Sequence, residues 1–354
     1  MNNLYFQDKV DAPYFFLKNV MFQDITETTA KQYIDAAQLW DVLQDAERRG
    51  AKYTGSMYWR KTGAARTEYL IKEVNGIEKS LGCRSPDAEH IIAEFKRNKA
   101  ESNERLKAIR DAMKKQQRVN FALRVGRTPN TAIAVLNALA DAGIADHFLV
   151  IGTNSLYAYE TQAGVYLSGD ITATKDFDLL WDSRKHLSLV SKDPEFNTKG
   201  LIGILKKVDK SFSVLDKEAY RAANSDGYLV DLIKRRPASF FDDHEKQQLR
   251  TVEDDFWACK IPDMDWLLSS PKFKQVVVGV NGHMAEMTTI DPRAFVLFKA
   301  FLSQKEDRDP IKKPRDLEQV KAVFSLIEER LPHFGFDQIK VFPTRVRDLL
   351  DTLR

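Results

Sequence analysis

Apolar positions along this chain change period several times, and each change marks an element. Between positions 28 and 50, Tyr33, Ala36, Leu39, Trp40, Val42 and Leu43 recur near every 3.6 residues, predicting an amphipathic helix that Gly50 ends. The period then drops to two. Stretches 53–60, 66–73 and 76–81 carry aromatic and β-branched residues, with turn residues at Lys61-Thr62-Gly63 and Asn75-Gly76. This is the pattern of a small three-stranded antiparallel meander. Ser85-Pro86-Asp87 opens a long charged helix to about position 118, with Ser85 as N-cap and Pro86 in the first turn. Its apolar stripe of Ile91, Ile92, Phe95, Leu106, Ile109 and Met113 is thin, so most of this helix is expected to face water.

Beyond position 127 the chain is more apolar. Thr128-Pro129-Asn130 starts a helix through Ala142, closed by Gly143. Strands are predicted at 147–152, 174–182 and 228–233, with a helix at 153–163 and mixed structure at 199–217. The third strand is read as broken by Lys234-Arg235-Arg236-Pro237. An apolar run at 276–280 precedes an Asn281-Gly282 turn, and Asp291-Pro292 caps a helix to about Ser303. Two closing helices are predicted at 315–330 and 336–353. The expected fold class is α/β (α+β), a mixed-sheet core with helical flanks. The expected division is an N-terminal helical region with a meander (1–119), a core (120–260) and a mainly helical C-terminal subdomain (261–354).

Composition narrows the class. At 354 residues, 43% apolar and 30% charged, the chain suits a globular protein of two or three domains. No apolar run approaches the roughly 18–20 residues of a membrane span. The start has no signal-peptide pattern, though Asn3-Leu4-Tyr5-Phe6-Gln7 reads like most of a protease-tag site, so residues 1–8 are set aside. Two cysteines, Cys83 and Cys259, and six scattered histidines argue for a reducing, cytoplasmic setting without zinc. A net charge of +3 excludes a general polycation. Charge is nonetheless uneven, with eight basic against two acidic residues between positions 104 and 127. That stretch reads as a solvated helix face or as a polyanion-binding surface built on Arg105, Arg110, Lys114 and Arg118. Lys234 and Arg235 would extend it.

Three Asp-x-Asp pairs occur: Asp176/Asp178, Asp263/Asp265 and Asp307/Asp309. Only the first lies in a strand. There Asp176 and Asp178 point to one face, and Phe177, Leu179 and Trp181 to the other. Two carboxylates on one largely buried face repel each other and lose hydration, which a divalent cation would relieve. Upstream, Val150-Ile151-Gly152 is a strand ending in Gly. It runs into a helix whose first residues, Thr153, Asn154 and Ser155, carry side-chain donors suited to an anion. Downstream, Asp231 is a single acid in the apolar run Leu229-Val230-Asp231-Leu232-Ile233, a third carboxylate or a partner of Lys234 or Arg235. Asp182 is the other contender for the third acid. Thr174 and Lys175 are further candidates for phosphate contact, and Lys299 either reaches a triphosphate or pairs with Asp316.

A strand ending in Gly, a helix, a strand with Asp-x-Asp and a later strand with a third Asp resemble the DNA polymerase β-like nucleotidyltransferases. The strings Ile151-Gly152-Thr153-Asn154-Ser155-Leu156-Tyr157 and Thr174-Lys175-Asp176-Phe177-Asp178-Leu179-Leu180 look like a bacterial branch of nucleotidyltransferase-like proteins. The resemblance covers about 120–240. It departs at Thr153, where Gly or Ser is usual, and in the long gap from Gly152 to Asp176, which calls for an added hairpin near 164–170. It implies transfer of NMP from an NTP to an acceptor by two Mg²⁺ ions, or Mn²⁺ in their place. Asp176, Asp178 and Asp231 would be the metal-binding and catalytic residues, with Asp231 also a general base. Gly152, Thr153, Asn154, Ser155, Lys175 and Lys299 would hold the nucleotide. The acceptor would be RNA (a tRNA 3′ end among the options), a protein side chain or a small molecule. The rival reading is a non-catalytic module of the same fold that binds nucleic acid or a protein partner.

Overall fold

The computed structural model describes residues 21–64, 66–184, 191, 193–236, 248–249, 252–261, 264–336 and 342–349. Asp263, His186, His244 and the tag-like start lie outside them. A short strand β1 (Phe22–Asp24) leads into α1 (Glu27–Gly50), whose N-cap Thr26 accepts from the Thr29 amide. The meander β2 (Ser56–Thr62), β3 (Thr67–Val74) and β4 (Ile77–Cys83) is a separate antiparallel sheet. Helix α2 (Pro86–Ala122) follows, with the Ser85 hydroxyl accepting from the Ala88 amide as its cap residue requires. It buries Ile92 and Phe95 and packs along α1 and β2.

The core begins with α3 (Asn130–Asp141), β5 (Phe148–Ile151), α4 (Ser155–Ala163), β6 (Val165–Leu167) and α5 (Gly169–Thr172). Next come β7 (Asp176–Trp181), α6 (Pro194–Val208), β8 (Ser213–Leu215), β9 (Glu218–Ala223) and β10 (Leu229–Arg235). The remainder is β11 (Cys259–Ile261), α7 (Asp265–Ser269), β12 (Lys272–Val278), β13 (Met284–Ile290), α8 (Pro292–Gln304), α9 (Lys312–Arg330) and α10 (Thr344–Arg347).

The described strands of the main sheet run β12-β13-β5-β7-β10-β9-β8, with β11 pairing β10 beyond the end of β9. The sheet is mixed. Strand β7 is antiparallel to β5 and parallel to β10, and β10 is antiparallel to β9. Alternation sets its faces: Phe177 and Leu179 are fully buried on one side, while Asp176 and Asp178 look out on the other. Helices α8 and α9 pack on each other over that second side.

Four features differ from the sequence expectations. Strands β12 and β13, from the region expected to be a mainly helical subdomain, join the same sheet as β5, so the chain on both sides of residue 260 shares one core. Strand β6 forms no hairpin of its own; its edge is taken by β1, with Gln23 opposite Tyr166. Strand β10 does not break at Lys234, because β7 and β11 continue to pair with it through Lys234 and Arg235. The last expected helix is not continuous: among the described residues Phe342 and Pro343 are non-helical, Pro343 having no amide to donate, and α10 spans four residues.

Candidate active site

Register brings the acids together. Across neighbouring strands, Ile151 pairs with Asp178, Asp178 with Asp231, and Asp231 with Arg221. Strands lie about 4.8 Å apart, so this row places two carboxylates and one guanidinium side by side. Asp176 stands two residues back on the same face. All four side chains line one cavity of about 280 Å³ between the sheet and α8–α9.

Gly152 closes one end of the row. Its φ is +71°, and a Cβ built there would lie 2.3 Å from Asp178 Oδ2. A side chain at 152 would therefore be strained by the left-handed backbone and would push the Asp178 carboxylate out of place. Asp178 accepts no hydrogen bond among the described residues. Burial, then the charges of Asp176 and Asp231, push its carboxyl up to about 7; Lys299 and Lys312 pull it partly back. Asp176 is better supported. The Thr174 hydroxyl donates to its carboxylate, and Asn154 Nδ2 donates to its main-chain oxygen at 2.7 Å. Asp231 is held on both oxygens by Arg221, Nε to Oδ1 and Nη2 to Oδ2, each 2.7 Å. Arg221 also reaches Glu218 and lies over the Tyr220 ring.

The helical wall is cationic. Lys299 Nζ donates to Asp316 Oδ1 at 2.7 Å, and Arg308 Nε to Asp316 Oδ2 at 2.7 Å. Lys299 is thus the buried partner of Asp316, and burial lowers its pKa against the pull of that carboxylate. Arg315 donates to the carbonyls of Ile171 and Ala173. Lys312 is exposed and forms no ion pair among the described residues, yet it lines the cavity and is close enough to Asp178 to lower its pKa.

The structure sorts the residues singled out in the sequence. Gly152 and Thr153 line the cavity; Asn154 braces the Asp176 backbone instead. Ser155 is a correction. It is fully buried behind the strand, bonded to Thr289 Oγ1 at 2.7 Å and Val150 O at 3.3 Å, and cannot meet a nucleotide. Lys175 is exposed, points to the Asp226 carbonyl and does not line the cavity. Asp182 lies beyond the far end of β7, in a bidentate pair with Arg184, so it is not the third acid.

The proposed polyanion surface also changes. Lys234 is 0% exposed with its ammonium over Trp181, and Arg235 pairs with Asp265 at 2.7 Å, so neither extends it. Arg105, Arg110, Lys114 and Arg118 are exposed on α2, but no α2 residue lines the cavity. Arg110 and Lys114 are further engaged by Glu47 and Asp111. Sequence reasoning missed Arg221, Arg308, Lys312 and Gln319. The run Lys312-Lys313-Pro314-Arg315 carried a charge signal, and the alternation from Glu218 to Ala223 a weak strand signal; Gln319 carried none.

A family model described as Nucleotidyltransferase matches residues 130–341. The chain belongs to this nucleotidyltransferase family. The match spans every element of the row and both helices of the cationic wall, and it implies a nucleotide substrate. No curated protein and no solved structure matches the chain. Among the described residues no helix is long and apolar enough to cross a membrane.

Proposed function

We propose that this nucleotidyltransferase moves NMP from an NTP to an acceptor in the manner of the polymerase β-like enzymes, with Asp176, Asp178 and Asp231 at its centre. The observation that carries the reading is the row Asp178–Asp231 facing one cavity with Asp176 and with Lys312, which has no ion pair among the described residues. In the reaction, an acceptor oxygen bonds to the α-phosphorus, the α–β bridging bond breaks, pyrophosphate leaves and the acceptor gives up a proton.

The donor set fits Mg²⁺ or Mn²⁺, which favour carboxylate oxygens. Asp178, buried beside two like charges and accepting no hydrogen bond, is the side chain a cation would relieve most. Among the described residues no group of three His, Cys, Asp or Glu is poised to hold an ion, and Asp231 has both oxygens turned to Arg221. Asp176 and Asp178 would therefore hold a first ion, and Asp231 would contribute once Arg221 lets go. A bound ion would neutralise the phosphates and polarise the attacked phosphorus. The Thr153 hydroxyl and Lys312 would bind phosphate oxygens. Asp231 would take the acceptor proton only after its pair with Arg221 opens.

RNA is retained as an acceptor in this proposal. Because α2 does not line the cavity, an RNA bound to its cations must extend out of the site along the protein. Its binding would weaken with salt by a log–log slope of about −0.7 per phosphate neutralised on a single strand. The test incubates the protein with each α-labelled NTP, Mg²⁺ and total RNA or lysate, beside the Asp176→Ala/Asp178→Ala variant. Label transferred by wild type and not by the variant supports the reading. Neither transfer nor NTP binding by wild type would favour the non-catalytic module.

A further inference from the structure

Gln319 reaches the phosphate-binding end of β5 from α9, 166 positions along the chain. It is 0% exposed and spends both amide hydrogens there. Nε2 donates to Thr153 Oγ1 at 3.1 Å and to the Ile171 carbonyl at 2.8 Å. The carbonyl contact fixes the amide's orientation, because the flipped amide would set two acceptors against each other. Thr153 Oγ1 is therefore an acceptor toward Gln319. Its own hydroxyl hydrogen meets no acceptor among the described residues, and Thr153 lines the cavity beside Gly152.

Gln319 Oε1 has no partner among the described residues although it is buried. An unpaired buried acceptor destabilises a fold, and an apolar side chain of similar length would avoid that cost. That cost stands against two donated bonds, to the Ile171 carbonyl and to Thr153, and of these two partners only Thr153 lines the cavity. We propose that Gln319 is a positioning residue. It occupies the acceptor side of the Thr153 hydroxyl so that the hydrogen is presented to a phosphate oxygen in the cavity. This rests on the nucleotide-transfer reading and adds to it what orients the hydroxyl at 153: the Gln319 bond selects its rotamer.

Inorganic tripolyphosphate with Mg²⁺, titrated calorimetrically, probes this contact without the base or the transfer step. Gln319→Met should weaken tripolyphosphate binding about tenfold or more, the scale of one hydrogen bond to a charged ligand, and the melting temperature reads separately what the lost bond to the Ile171 carbonyl costs the fold. Gln319→Glu should weaken it as much, since a carboxylate captures the Thr153 hydrogen instead of donating to its oxygen. Thr153→Val should match both, Thr153→Ser should retain binding, and Thr153→Val/Gln319→Met should bind no more weakly than Thr153→Val alone. If wild type binds tripolyphosphate and the two Gln319 variants bind it equally well, or if the Thr153 and Gln319 losses multiply, the positioning role is wrong and the transfer reading stands. If wild type binds neither tripolyphosphate nor any NTP, both fall together.

Discussion

Replacing Asp178 by Asn should stabilise this protein, and by an amount that depends on pH. The folded chain holds the Asp178 proton up to about pH 7, against an ordinary aspartate value of 3.8. The cause is burial first and the charges of Asp176 and Asp231 second. Below about pH 4 both the folded and unfolded chains are protonated, and wild type and variant should be equally stable. Between pH 4 and 7 the unfolded chain has released the proton and the folded chain has not. Wild-type stability then falls by about 1.4 kcal/mol per pH unit on account of this group. Above pH 7 the full penalty is present, on the order of 4 kcal/mol, and it appears as extra stability of Asp178→Asn. Urea unfolding of both proteins from pH 5 to 8 in EDTA reads the difference, and subtraction removes the titrating groups that do not interact with Asp178. Adding Mg²⁺ should then narrow the gap by stabilising wild type alone. An Asp178→Asn protein no more stable than wild type at pH 8 would refute the claim that Asp178 is a buried, mutually repelled carboxylate.

Other substitutions test the site from other sides. Gly152→Ala forces a left-handed φ on a residue with a Cβ and drives that Cβ against Asp178 Oδ2, so it should cost about 1–3 kcal/mol in urea unfolding and abolish transfer. Unchanged activity would show that the carboxylate's position does not matter. Ser155→Ala should lose about 1–2 kcal/mol of stability, having removed a buried hydroxyl bonded to Thr289, while leaving the KM for NTP unchanged; a raised KM would return Ser155 to the nucleotide site. Lys312→Ala should keep the melting temperature, because the side chain is exposed and unpaired among the described residues, but raise the NTP Kd about tenfold. Equal Kd values would remove Lys312 from the phosphate contacts.

The sequence by itself carried the local half of this site. Period-two alternation put Asp176 and Asp178 on one face and Phe177 and Leu179 on the other, because successive strand side chains must point apart. Gly152 at a strand end, Ser85 before α2 and Asp291 before α8 were legible for the same kind of reason: their roles are satisfied within a few residues of backbone. What lies across the row was not local. Arg221 meets Asp231 only because β9 pairs antiparallel with β10 in one register, and a shift by one residue would turn it to the opposite face. Lys299, Arg308 and Asp316 form one buried cluster because α8 and α9 pack together, and Gln319 reaches Thr153 for the same reason. Ser155 and Lys234 carry polar groups that read as surface in the sequence, yet both lie in the interior. Thr289 and the Val150 carbonyl satisfy Ser155, and Lys234 lies over Trp181 where β7 and β11 flank β10. Alternation and capping are decided by neighbouring backbone geometry, whereas register, ion pairing and burial depend on which distant segments pack against one another, and that only the tertiary structure decides.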